Sequence, residues 1–186
     1  MNHEPMKTNL PIVALCALMG LVLMVIGAIA VPPAQSETDP GQVDYSGFIE
    51  LGTDVADYRQ GRLVDLDTFN AMKADPDTLI IDARSATNYA RGHIAGAVNL
   101  NFSDFSAGML SEVIGAKTRR ILIYCNNNFT DNVSPVVLKS APLALNVPTF
   151  INLYGYGYQN IYELSGAYSV LDAEIDWVSR PTYQEN

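Results

Sequence analysis

The sequence predicts an α/β domain, with a central, mostly parallel sheet and helices on both faces. Short apolar runs of buried-strand type recur along the chain, above all Leu79-Ile80-Ile81 and Ile121-Leu122-Ile123-Tyr124. Segments with helical spacing and capping residues fit between them, so strand and helix signals alternate. Sites in such sheets form at the carboxyl ends of strands. Cys125 directly follows the strongest run and is therefore the first candidate for chemistry.

The elements follow in order. From Ile12 to Val31 every residue is apolar or Gly, preceded by Lys7 and followed by Glu37, Asp39 and Asp44. A hydrophobic helix of this length spans a bilayer core. Ala28-Ile29-Ala30 and Ala34-Gln35-Ser36 also offer small residues at cleavage spacing. Residues 1–36 are thus either an uncleaved membrane anchor through residues 12–31 or a long signal peptide, each with its flanks. Either way, the basic flank stays in the cytoplasm and the bulk of the chain is exported. Pro32, Pro33, Pro40 and Gly41 mark a linker over residues 32–44. Phe48, Leu51, Val55 and Tyr58 have the spacing of an amphipathic lead-in helix, so residues 37–61 are read as linker plus helix. The domain proper then spans 62–180, with a tail at 181–186. It opens on a short strand, Arg62-Leu63-Val64, and a helix capped by Asp65 or Asp67 that runs to about Met72 and ends at Asp75-Pro76-Asp77. Ala97-Val98-Asn99-Leu100 and Asn160-Ile161-Tyr162-Glu163-Leu164 supply weaker strands.

Composition narrows the function. The 186 residues are 48% hydrophobic and carry a formal charge of −9, from 11 basic and 20 acidic residues. Only Lys7 and Glu4 of these lie before residue 37, so the acidic balance belongs to the remainder. No basic footprint for phosphate exists, which points away from nucleic acid. The two cysteines are Cys16, inside the apolar run, and Cys125. A zinc site would have to combine one thiol, His93 and carboxylates, unlike the paired spacings of such sites, so neither metal nor cofactor is expected. Cys125 is left as either a small core hydrophobe or a nucleophile.

Three blocks resemble the rhodanese-like (sulfurtransferase) domain family over about residues 62–178. Asp82-Ala83-Arg84 after an apolar strand, with Tyr89 and Gly92-His93-Ile94-Ala95-Gly96-Ala97-Val98-Asn99, is similar to the family's first signature. Cys125 after Ile121-Leu122-Ile123-Tyr124 matches its catalytic strand and loop. Gly157 to Gly166 resembles its C-terminal glycine-aromatic segment. The resemblance implies that a Cys125 thiolate takes a sulfane sulfur, holds it as a persulfide and passes it to a nucleophile. Asn126, Asn127, Asn128, Phe129 and Thr130 would form the persulfide- and anion-binding loop, their backbone N–H groups lowering the thiol's pKa, and a following helix would add its dipole. Asp82, Arg84 and His93 would support the site structurally. A persulfide or polysulfide donor and a thiol acceptor would be the small-molecule partners.

This sequence departs from the family pattern at several places. Active members often have glycine at the third and arginine at the fifth position after the cysteine, where Asn128 and Thr130 stand. Asparagine tolerates left-handed backbone, so the three Asn residues are expected to make a tight cradle, with amides available to a bound anion. Without the arginine, thiosulfate loses a charge-assisted contact of about 1.5–3 kcal/mol, roughly 10- to 150-fold in binding. The related phosphatases carry arginine at the sixth position; Asp131 there would face and repel phosphate, which disfavours phosphatase and arsenate reductase activity. A helix is expected to begin with Ser134 as cap and Pro135 at its first position, or with Asn132 as cap. Pro142 and Pro148 then mark residues 134–156 as an insertion that either covers the site mouth, docks a protein partner or is neutral.

Asn88 stands where members often have glutamate, which leaves Asp104 or Glu112 as substitute partners for Arg84. Tyr154, Tyr156 and Tyr158 read as a turn with half-buried aromatics, or else as a sugar or peptide platform. The sequons at Asn101 and Asn128 would put a glycan on the loop in a eukaryotic secretory route, which favours the bacterial periplasm. The expected function is sulfur transfer through Cys125. The alternatives are a catalytically weak protein-binding module and a redox-sensing thiol.

Overall fold

The computed structural model describes residues 43–179. The apolar run at 12–31 and the tail at 181–186 lie outside them. No described helix is long and apolar enough to cross a membrane. The chain runs α1 (Tyr45–Gln60), β1 (Leu63–Val64), α2 (Leu66–Lys73), β2 (Leu79–Asp82), α3 (Ala86–Arg91), β3 (His93–Ile94), β4 (Ala97–Asn99), α4 (Ala107–Ile114), β5 (Ile121–Tyr124), α5 (Asn146–Gly155), β6 (Ile161–Leu164) and β7 (Trp177–Val178). Five strands form one parallel sheet in the order β1-β6-β5-β2-β4, while β3 and β7 pair antiparallel beside it. This is the α/β architecture with a central parallel sheet.

Strand alternation divides the core into two layers. Ile81, Ile121 and Ile123 face α1, α4 and α5 together with Val55, Leu110, Phe150 and Leu153. Ile80, Leu122 and Tyr124 face the other way, onto Phe69, Ile94, Phe129, Val136 and Ile175. β5 is central and buried at every position, which fits its uninterrupted apolar sequence.

Asp65 caps α2, its side chain accepting the Thr68 N–H at 2.9 Å. Asp44 caps α1 in the same way through Gly47. Helix α1 does more than the lead-in role read from sequence. Val55 is in the core, and Tyr58 Oη donates to the Gln159 carbonyl at 2.7 Å. At Gly155 an added Cβ would lie 2.7 Å from Leu51, so α1 and α5 pack closely at that point.

The segment after Cys125 corrects the sequence reading. No helix begins at Ser134 or Asn132. Asn126–Asn128 form a single 3-10 turn and residues 131–140 are irregular. Of the expected 134–156 insertion, Asn146–Gly155 is helix α5, with Phe150 and Leu153 in the core. The true excursion is therefore the segment before it, pinned by the fully buried Val136. Tyr154 ends up half-buried in α5, Tyr156 exposed and Tyr158 buried, so these three form no continuous platform.

Candidate active site around Cys125

Cys125 follows β5 at the carboxyl edge of the sheet and is 2% exposed. Burial pushes its thiol pKa up. N–H groups of Asn146, Asn127 and Leu145 oppose that rise, and the charge of Glu163 adds to it. The net direction reverses the lowered pKa expected from sequence. The cradle also differs in membership. Among the five loop residues, the N–H groups of Asn128, Phe129 and Thr130 already donate to the carbonyls of Cys125, Asn126 and Tyr168. The N–H groups of Asn126 and Asn127 remain, and those of Leu145 and Asn146 at the start of α5 join Asn127 in opposing the rise of the thiol pKa. The helix N-terminus expected after the loop is present, but the chain reaches it only after the excursion.

The asparagine side chains likewise serve the fold, except that Asn126 Oδ1 is buried without a hydrogen-bond partner. Their backbone is 3-10 turn, not left-handed; among the described residues, Asn132 and Asp176 are the non-glycine ones with positive φ. Asn126 Nδ2 donates to Val137 O at 2.8 Å, and Asn127 exchanges hydrogen bonds with the Lys139 backbone at 2.7 and 3.2 Å. Asn128 is the hub. Its Oδ1 accepts from Cys125 N at 2.9 Å and Asn146 Nδ2 at 3.2 Å, while its Nδ2 donates to Leu164 O and Gly166 O at 2.7 and 3.1 Å. These bonds bind the loop to β6, to α5 and to the excursion, replacing the short family loop.

Phe129 turns away into the second core layer, edge-on to Tyr124 and Trp177. Thr130 is exposed. Asp131 does not face an anion position: its carboxylate accepts from Ser169 Oγ at 3.1 Å and Val170 N at 2.9 Å. The repulsion read from Asp131 therefore loses its geometric basis, because that carboxylate is held by Ser169 and Val170.

Asp82 and Arg84 form a buried bidentate pair, with Nη2–Oδ2 at 2.6 Å and Nε–Oδ1 at 2.9 Å. Burial lowers the Arg84 pKa, but the hydrogen bonds and charge of Asp82 outweigh it and leave it raised. Arg84 also reaches Gly92 O at 2.7 Å and Pro135 O at 3.3 Å, tying the turn before β3 to the excursion. Asp104 and Glu112 are exposed and are not its partners. Tyr124 Oη donates to Asp82 Oδ2 at 2.6 Å, and burial together with that carboxylate holds the phenol well above its ordinary range. His93 stacks on Tyr89 with centroids 3.8 Å apart, and its Nδ1 donates to Tyr89 O at 2.8 Å. This places His93 with the β3 turn rather than among the groups around the sulfur.

Sequence reasoning missed Arg59, Asn146 and Glu163. Arg59, on α1, makes a bidentate ion pair with Glu163 of β6, and Asn146 Nδ2 donates to Glu163 Oε1 at 3.1 Å. A signal was available: Glu163 interrupts an apolar strand and so demands a buried partner, and Arg59 lies one helical turn beyond Val55 on the core-facing side.

A family model described as "Rhodanese-like domain" matches residues 65–174. Two curated relatives are named tRNA uridine(34) hydroxylase. That of Bradyrhizobium diazoefficiens is 41% identical over 86 residues, 42% of this chain and 32% of that protein. That of Deinococcus radiodurans is 27% identical over 123 residues, 64% of this chain and 36% of that protein. The chain thus spans about a third of the length of these relatives. Among solved structures, the BH2092 protein of Bacillus halodurans is 15% identical with a TM-score of 0.43, covering 63% of this chain and 76% of that one. The rhodanese-like domain of the Anabaena Alr3790 protein is 20% identical with a TM-score of 0.41, covering 56% of this chain and 68% of that one. With more than half of its length matched by that family model, the chain belongs to the rhodanese-like domain family.

Proposed function

We propose that the chain is a sulfurtransferase that carries sulfane sulfur as a persulfide on Cys125. Family membership supports a sulfur-related function in general. The observation that supports the finer reading is the placement of Cys125 at the carboxyl end of β5, its backbone N–H held by Asn128 Oδ1, to which the start of α5 is also tied through the Asn146 amide. The donor in this reading is a persulfide or polysulfide. The Cys125 thiolate attacks the terminal sulfur of R–S–SH, the donor S–S bond breaks, and its electron pair leaves on R–S. The proton that Cys125 gave up ends on that departing sulfur. An acceptor thiolate then takes the outer sulfur and regenerates Cys125. Because burial favours the neutral thiol, loading accelerates as pH rises beyond the ordinary thiol range of about 8.5.

The test is the intact mass of the full chain after incubation with polysulfide. A gain of one sulfur that disappears in Cys125→Ser is the expected result. A folded protein that takes up no sulfur from polysulfide or from a low-molecular-weight persulfide overturns the reading. The whole activity of the curated relatives is not carried over. They share only part of their length with this chain, whose charge of −9 offers no phosphate footprint.

A second reading, a protein-binding module with a weakly reactive thiol, is favoured by the exposed Val133, Val137, Leu138 and Leu143 on and beside the excursion. In either case we place the domain in the bacterial periplasm, anchored through residues 12–31 or released after cleavage, alternatives that a carbonate wash of membranes separates.

A further inference from the structure

A cavity of about 660 Å³ opens beside the Cys125 loop, in the size range of small-molecule sites. Asn127, Asn128 and Asn146 form part of its wall, and Asn128 Oδ1 accepts from both the Cys125 backbone N–H and the Asn146 amide. Leu63 and Val147 give the cavity an exposed apolar side, and Arg59 and Glu163 also line it. The Arg59 Nε and Nη2 are spent on Glu163, whereas Nη1 makes no hydrogen bond among the described residues, and the side chain is 38% exposed. A polar chain runs from Arg59 through Glu163, Asn146 and Asn128 to the Cys125 backbone N–H. The Arg59 pKa is raised by its hydrogen bonds to Glu163 against burial, and the charges of Glu163 and Cys125 add to the rise, as expected of groups close in space.

We propose that Arg59 is the anion-recognising residue of this cavity, which takes a small, singly charged anionic sulfur compound, its charge on the free edge of the guanidinium and its apolar part along Leu63 and Val147. Helix α1 thereby supplies the cation that the loop lacks at Thr130. Glu163 sets the charge limit, because its carboxylate cancels much of the field of Arg59 and repels a second negative charge. The inference rests on reading Cys125 as the sulfur carrier, since that reading makes the cavity a donor site.

The test uses the matched alkylating reagents iodoacetate and iodoacetamide on the full chain carrying Cys16→Ser, so that Cys125 is the only thiol. Both consume the same thiolate, so the ratio of their rates cancels its pKa and reports the local charge set by Arg59 and Glu163. Arg59→Gln is expected to lower the iodoacetate-to-iodoacetamide ratio about fivefold or more. Glu163→Gln keeps an oxygen for Asn146 and is expected to raise the ratio and to improve thiosulfate as a donor. Shifts of opposite sign are not what loosened packing would produce, and circular dichroism checks that each variant is folded. A ratio unmoved in both variants, or moved in the same direction by both, overturns the proposal. So does a folded wild-type protein in which neither reagent reaches Cys125 at alkaline pH. If the ratio shifts as expected but polysulfide adds no mass, the sulfur-carrier reading fails and the anion site stands. If persulfide forms while the ratio stays fixed, the anion site fails alone.

Discussion

Asn128 shows how a departure from a family pattern can be a structural replacement. Glycine at this position would free the backbone, but here the side chain satisfies the Cys125 N–H, the Asn146 amide and the carbonyls of Leu164 and Gly166. Removing it strands several buried polar groups, each costing about 1–3 kcal/mol when unsatisfied. Asn128→Gly, although it restores the common family residue, is therefore expected to destabilise the domain by roughly 2–4 kcal/mol, allowing for partial rehydration. Urea unfolding followed by far-UV circular dichroism measures this, and an unchanged midpoint would show that the hub is dispensable. Asn126 and Asn127 act on the same principle, bracing the excursion through Val137 and Lys139.

The elements around the site are held by a few close approaches. At Gly92, in extended backbone, an added Cβ would lie 2.5–2.7 Å from three atoms of the Trp177 indole. A rigid ring packed on Phe129 and near the Arg84 guanidinium cannot yield as a flexible chain end would. Gly92→Ala is expected to cost about 1–3 kcal/mol and to shift the fluorescence of Trp177, the sole tryptophan. The same substitution would strain the Arg84 contact to the Gly92 carbonyl and, through it, the excursion at Pro135. Helix α1 illustrates the converse, a peripheral element drawn into the site because Val55, Tyr58 and Arg59 share its inner face.

At the scale of the molecule, burial of Cys125 links stability to pH. Its folded pKa stands above that of the free thiol, so its contribution is whole below the unfolded value of about 8.5 and is lost as pH rises through the folded one. Unfolding free energy is expected to fall over that alkaline window in the wild type and to fall less in Cys125→Ser. Tyr124, also raised, contributes a similar loss only above about pH 10, in both proteins. Equal slopes in the two between pH 8.5 and 10 would count against a thiol shut from water. The sequence by itself determined the sheet strands, a helix capped at Asp65 or Asp67, the placement of Cys125 after β5 and the family, because apolar runs, caps and signature turns are local. It could not show which groups surround the sulfur. Arg59, Glu163 and Asn146 are far apart along the chain and meet only when α1, β6 and the start of α5 converge. The helix expected at Ser134 failed for the same reason. Local propensity allowed it, but the buried Val136 and the side-chain bonds of Asn126 and Asn127 hold that segment in an irregular path. The tertiary structure alone decided that the thiol is enclosed and that Arg59, Glu163 and Asn146 cluster beside its loop, since burial and proximity depend on packing between distant segments.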